Sequence, residues 1–348
     1  MQLIEKIKAN IDTERLIHSI KTALACLIGY GIFRALDLQT GKWLVITIIV
    51  VMCAQINVGG VLQKSYMRFL GTLAGAIISA LTILYLGDGL ISNAIVVLLS
   101  AMLFSAIATS TKSYSDSGTL GAVTVAVILV APHPTIMDAG SRFLEISCGI
   151  IIATLISQFI LPIHARNHLR RTQAETIRQI KEYYQHMLTN QQPIETAAQI
   201  ELDGAISKTL IAQRKLATDA KREMIGEKFN IDLFKQSLWY EKEILRSITS
   251  MHSAYLASEQ AHTIISQIPA LSEFHQGTLN ALEEIASQIE HQQSENIDLP
   301  QAHELLKNLN EAAESVMSSP ERIHIDSFSF GIQSLIDRIT KLSSLHIK

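Results

Sequence analysis

At 348 residues with a net charge of −3, the chain has length for about two domains and lacks the excess of Lys and Arg that a nucleic-acid surface requires. Hydrophobic residues make up 48% and mean hydropathy is +0.25, an average that joins two unlike halves: apolar runs over 16–162 and a mixed, charged, Gln-rich sequence over 163–348. Three cysteines, Cys26, Cys53 and Cys148, sit inside the apolar runs at spacings that form no metal motif, and read as small packing residues.

Residues 1–15 alternate charged and apolar positions, with Ile4, Ile7 and Ile11 set against Lys6, Lys8 and Arg15, which predicts a short amphipathic segment at a membrane surface. They carry acids as well as bases and no cleavage-site pattern, so no removable signal peptide is expected. Six spanning helices follow, at 16–33, 43–57, 67–86, 90–109, 118–131 and 143–161, each judged against the ~20 apolar residues that cross a bilayer. Trp43 opens the second in the place of an interfacial anchor. Gly87, Asp88 and Gly89 break the third, Pro132 and Pro134 stop the fifth, and Pro162 stops the sixth. With the N-terminus in the cytoplasm, Lys6, Lys8, Arg15, Lys64, Arg68, Lys112, Arg166, Arg170 and Arg171 lie inside, against Arg34, Lys42 and Arg142 outside. This bias places both termini, and the C-terminal domain, on the cytoplasmic side.

One stretch occurs twice. Arg68-Phe-Leu-Gly-Thr-Leu-Ala-Gly-Ala-Ile-Ile-Ser-Ala-Leu81 returns seventy-four residues later as Arg142-Phe-Leu-Glu-Ile-Ser-Cys-Gly-Ile-Ile-Ile-Ala-Thr-Leu155, with the same residue at seven of fourteen positions. A repeat of three crossings inverts on its second pass, so the expected domain is two inverted three-helix repeats. The same offset lays 43–57 over 117–131, the second helix of each half. Both are short, about 15 residues or ~23 Å against a hydrocarbon core of ~30 Å. Paired short helices at matching positions point to a binding site, or to local thinning of the bilayer.

Past Pro162 the pattern is helical and amphipathic. Leu169, Gln173, Ile177, Ile180, Tyr184 and Met187 form one stripe; Leu271, Phe274, Thr278, Leu282, Ile285 and Ile289 a second; Phe328, Ile332, Leu335, Ile339 and Leu342 a third. Further helices fit 194–224, 230–258 and 300–317, giving an antiparallel helical bundle without strands. The predicted fold is therefore an all-α membrane protein: an N-terminal segment (1–15), six transmembrane helices (16–162) and a cytoplasmic helical domain (163–348). No phosphate loop, nucleophile elbow or zinc pattern occurs, so neither an enzyme nor a cofactor is expected.

The second helix begins Trp43-Leu-Val-Ile-Thr47 and the third carries Arg68-Phe-Leu-Gly-Thr-Leu-Ala-Gly75. With six helices and a cytoplasmic helical tail, these motifs resemble the fusaric acid resistance and aromatic acid exporter family, which is related to the plant aluminium-activated malate transporters. The resemblance implies movement of organic anions across the inner membrane, and dimers. Many bacterial relatives carry a second membrane unit, whereas this sequence shows one.

Candidate site residues follow from chemistry. Arg68 and Arg142 open the third helix of each half, on opposite faces in the expected topology, where a guanidinium binds a carboxylate in a bidentate way or snorkels to headgroups. Glu145 is an acid inside a spanning segment, paired with Arg142 one turn earlier or coupling protons. Lys21 either lines a pathway or snorkels. Thr47, Gln55 and Asn57 are the polar positions of the short second helix, and either bind a carboxylate or join helices. His133, between two prolines, either has a pH-sensing role or simply stands in an exposed extracytoplasmic loop. Gly71, Gly75 and Ser79 form a face for close helix packing. His164 and His168, beside Arg166 and Arg170, suit anionic lipid better than metal. The expected function is export of organic carboxylates, aromatic ones included, between two inverted repeats; a channel-like anion conductance and a membrane-anchored scaffold acting through its helical domain are the alternatives.

Overall fold

The computed structural model describes residues 13–35, 41–111, 114–189, 197–223, 225, 229–293, 297–316 and 320–346. Among these the chain is all helical, with thirteen α-helices and no strand. It divides into two compact units, one running to Ala165 and taking in a short return segment at Arg222, the other holding Arg166–Lys221 and most of the chain beyond.

The first unit contains α1 (Thr13–Ala35), α2 (Lys42–Cys53), α3 (Val58–Leu86), α4 (Leu90–Ala108), α5 (Ser115–Leu129) and α6 (Ile136–Phe159). Of the expected surface segment only residues 13–15 are described, and they open α1; the rest lies outside the described residues. Among the described helices, α1, α3, α4 and α6 are long and apolar enough to cross a membrane, while α2 and α5 are shorter apolar helices of 12 and 15 residues. Burial runs opposite to that of a water-soluble domain. On α4, Leu90, Ile91, Leu98, Leu99, Met102 and Leu103 point outward, while Asn93 and Ser100 are buried beside Phe104. An apolar exterior with polar residues turned inward suits lipid as the surrounding solvent.

The packing is crossed. Within each half α1 contacts α2 and α4 contacts α5, but the short helix of each half lies against the third helix of the other, α2 on α6 and α5 on α3. Glycine permits both approaches. A Cβ on Gly149 of α6 would stand 2.6 Å from the Leu44 carbonyl oxygen and 2.8 Å from Thr47 Cβ. One on Gly75 of α3 would meet the Gly121 carbonyl oxygen and Thr124 Cβ, both at 2.8 Å. These contacts equate Leu44 with Gly121 and Thr47 with Thr124, three residues further along than the gapless register of the sequence repeat, which set Thr47 opposite Gly121. The slip arises because the stretch from Thr124 to Arg142 is three residues shorter than that from Thr47 to Arg68.

α3 and α6 meet at the repeated motif itself. The equivalent rings Phe69 and Phe143 touch with centroids 5.6 Å apart, and Ser65 Oγ lies 3.1 Å from Thr154 Oγ1. Position along α3 rises as position along α6 falls, so the two run antiparallel. α3 also begins nine residues earlier than expected, because Asn57 caps it: its side-chain oxygen accepts from the Gly60 amide at 2.7 Å. α6 likewise starts early, on a reciprocal Thr135–Asp138 capping box. Cys26, Cys53 and Cys148 are free; Cys53 and Cys148 are exposed on the apolar surface rather than packed, since their helices turn other faces inward.

The second unit comprises α7 (Ala165–Thr189), α8 (Ala197–Ala220), α9 (Ile231–Leu256), α10 (Glu259–Ser266), α11 (Ala270–His291), α12 (His303–Ser315) and α13 (Glu321–His346). The three stripes read from the sequence are buried at every position, on α7, α11 and α13, and join one apolar core. The short α10 breaks from α9 because Ser258 caps a new helix. Inside this core sits a wholly buried acid, Glu241 of α9. Its carboxyl accepts from Gln213 Nε2 of α8 at 2.7 Å, from Gln173 Nε2 of α7 at 3.3 Å and from Ser237 Oγ at 3.4 Å. Burial outweighs these donors and pushes the carboxyl up to about 7.

Two outcomes follow. Gly75→Ala and Gly149→Ala overpack the crossed helices and lower the unfolding midpoint, at a cost of ~1–3 kcal/mol each, whereas Gly140→Ala, with nothing within 4 Å, is neutral or slightly stabilising in the same thermal scan. For Glu241, the folded state holds its proton to higher pH than the unfolded chain. Its neutral form therefore contributes stability that is complete below about 4.5 and is lost as pH rises through about 7, on the order of 3 kcal/mol. Denaturation of the parent chain and of Glu241→Gln across that window isolates this contribution: the parent's stability relative to the variant declines as pH rises from about 4.5 to about 7.

Candidate functional site

Three elements deliver cations to the interior of the first unit. Arg68 sits on the third turn of α3 and is 6% exposed, its guanidinium Nε donating to Thr47 Oγ1 of α2 at 3.2 Å. Arg142, on the second turn of α6, lays its guanidinium over the Trp43 ring at 4.9 Å from the centroid. Both line one cleft, closed on the other side by Thr72 of α3, Ile146 of α6 and Leu120, Thr124 and Val127 of α5. The expectation that these arginines stand at opposite mouths is corrected: the crossed packing brings the repeat-related pair inward to a shared space. That space is about 20 Å³, room for about one water molecule.

Two buried donors at this cleft have no hydrogen-bond partner, Trp43 Nε1 and Arg142 Nη1. Buried N–H groups are nearly always satisfied, and an orphan costs ~1–3 kcal/mol. The polar side of the lining carries two guanidinium groups, an indole N–H and threonine hydroxyls, with no acid among them, and the rest is aromatic or aliphatic. Such a lining is fitted to a carboxylate attached to an apolar body. Glu145 is also buried, one residue before Ile146 on α6.

The remaining candidates stand elsewhere. Lys21 of α1 neither lines the cleft nor snorkels: it is 1% exposed, and its Nζ donates to the Ser157 and Leu161 carbonyls at 3.2 and 3.1 Å. These carbonyls lie at the C-terminus of α6, where the last turn of a helix lacks internal partners and favours a cation. Gln55 and Asn57 lie beyond the end of α2 at Cys53, in the turn to α3, where Asn57 serves as the cap and Gln55 lies against Gly60. His133 is exposed at φ 52°, its Nδ1 3.3 Å from Asp88 Oδ2, so it links two loops rather than joining the cleft. Among the described residues no group of three His, Cys, Asp or Glu side chains is placed to hold a metal.

Trp43 and Thr124 were the residues that sequence reasoning missed. Trp43 reads as an interfacial anchor by position, and only the crossing of α2 over α6 puts its ring under Arg142. Thr124 was obscured by the three-residue slip; aligning the two short helices on their threonines would have found it. For Lys21, a Lys21→Met chain loses two carbonyl partners worth ~1–3 kcal/mol each. Its unfolding midpoint falls while activity per folded molecule is retained.

Multidrug resistance protein MdtO of Shigella flexneri is 31% identical over 152 residues, 42% of this chain but 22% of MdtO, and MdtO of Escherichia coli (strain K12) matches to the same extent. Inner membrane protein YeeA of Escherichia coli (strain K12) is 28% identical over 174 residues, 49% of this chain and 48% of YeeA. The aligned part thus spans about a fifth of MdtO and half of YeeA. The fusaric acid resistance protein family matches residues 15–346, through both units, and the chain belongs to that family.

Proposed function

We propose that the protein is a multi-pass transporter of the inner membrane that exports organic anions, aromatic carboxylates in particular, through a pathway opening at the Trp43–Arg68–Arg142 cleft. The observation that carries this reading is the convergence of two repeat-related arginines on one aromatic-walled space that holds two unpartnered buried donors. Membership of the family, the name of MdtO as a multidrug resistance protein and that of YeeA as an inner membrane protein support efflux and the compartment.

In this reading the six helices are two inverted three-helix repeats. The exchange of short helices, α2 onto α6 and α5 onto α3, and the contact between the equivalent Phe69 and Phe143 support it, since residues that touch their own equivalents lie on a two-fold axis. Both termini and the second unit are cytoplasmic, and two copies of the chain associate. A carboxylate enters between Arg68 and Arg142, its ring against Trp43, with Thr47 orienting Arg68. The cleft as it stands is an occluded state, so α2 and α5 must move apart to admit substrate. Glu145 supplies the acid that couples export to protons.

The test is flux of a radiolabelled aromatic carboxylate in proteoliposomes, with and without an imposed proton gradient. Arg68→Gln and Arg142→Gln each remove a charge-assisted contact of ~1.5–3 kcal/mol and reduce flux about ten- to hundredfold at low substrate. Glu145→Gln leaves the fold intact and abolishes the response to the gradient. Flux in the parent chain that ignores the gradient would instead identify an anion conductance. Both arginine variants behaving as the parent would leave a membrane-anchored scaffold as the better account.

A further inference from the structure

A second and larger space lies apart from the cleft. Within the second unit, α7, α9, α11, α13 and the turn from α10 to α11 enclose about 460 Å³. This is inside the ~300–1,000 Å³ range of small-molecule sites. Its walls are aromatic and sulfur-bearing: Tyr255 packs on Phe328 at 5.9 Å, and Met187 and Met251 supply thioethers, side chains that adapt to flat apolar ligands. At its buried end the Tyr184 hydroxyl and His275 Nδ1 are hydrogen-bonded to each other.

The polar groups of this cavity are of a different kind from those of the arginine cleft. Ser266, Gln267, Ser272 and Gln276 lie at its rim, and no Lys, Arg, Asp or Glu lines it. Its titratable linings are His252, His275, Tyr184 and Tyr255. Burial holds His275 down at about 4 and pushes the Tyr184 hydroxyl above its ordinary range, so both stand uncharged at neutral pH. A carboxylate placed there would lose its hydration with no cation to replace it. An uncharged ligand would find apolar walls for its body, and hydroxyl, amide and imidazole groups that both donate and accept.

We propose that this cavity is a binding site for a neutral, planar aromatic molecule bearing a hydroxyl or similar hydrogen-bonding group, separate from the anion pathway. The full chain in nanodiscs is titrated calorimetrically with 2-naphthol and with 2-naphthoate, and titrations of empty nanodiscs are subtracted. The expected result is one saturable 2-naphthol site per chain and at least tenfold weaker binding of 2-naphthoate at that site. Tyr184→Phe keeps the shape and loses one hydrogen-bonding group, and weakens 2-naphthol about five- to tenfold. Ser272→Trp, an exposed position at the mouth, blocks the cavity and abolishes binding, while Arg142→Gln leaves it unchanged. The proposal is overturned by absence of saturable 2-naphthol binding, by equal affinity for 2-naphthoate, by binding that survives Ser272→Trp, or by loss of binding in Arg142→Gln.

Discussion

The first unit depends on the removal of three side chains. In lipid there is little hydrophobic force between helices, and association rests on van der Waals contact and buried polar bonds. Gly71, Gly75 and Gly149 let two short helices press their backbones onto α3 and α6, with carbonyl oxygens standing where a Cβ would be. That contact holds α2 and α5 in place although each is too short to span ~30 Å alone. It also turns Thr47 and Trp43 inward, so the chemistry of the cleft is a consequence of the packing.

Much of this was legible in the sequence, and the limits have physical causes. Apolar runs locate helices because lipid demands them, and the stripes on α7, α11 and α13 locate the apolar core of the second unit because 3.6-residue periodicity leaves one face dry. Helix starts were less legible. Asn57 and Thr135 begin α3 and α6 well before the apolar run, since a cap is one residue and a hydropathy average ignores it. The repeat aligned Phe69 with Phe143, whose rings touch, yet a gapless offset assumed that loops conserve length as helices do. The arginines were recognised as anion-binding groups, but their distance apart depends on helix crossing, which no linear pattern encodes.

Two buried charges in the same kind of helix illustrate how context decides role. Lys21 spends its donors on the open end of α6, a fixed partner that no substrate displaces. Arg142 lies on a π face and keeps a buried nitrogen without a partner. Sequence alone treats the two alike, as cations within apolar runs. The second unit makes a parallel contrast with acids: Glu241 is enclosed by amide and hydroxyl donors yet pushed up by burial, while Glu283 is lowered from its ordinary value by Lys181 and Arg178.

The turn between α2 and α3 has a mechanical meaning. The Val58 amide donates to the Ile163 carbonyl, His18 Nε2 lies 3.0 Å from the Met52 carbonyl oxygen, and Lys21 grips the last turn of α6. Four separate stretches of chain are thereby knotted at one corner, and shearing them apart would strand several polar groups at once. The loops flanking α5 add the Lys64–Asp116 and Asp88–His133 pairs, one near each end of α3, and pairs open to solvent are weak links in water. The start of α1, the end of α2, the start of α3 and the tail of α6 therefore act mechanically as one joint.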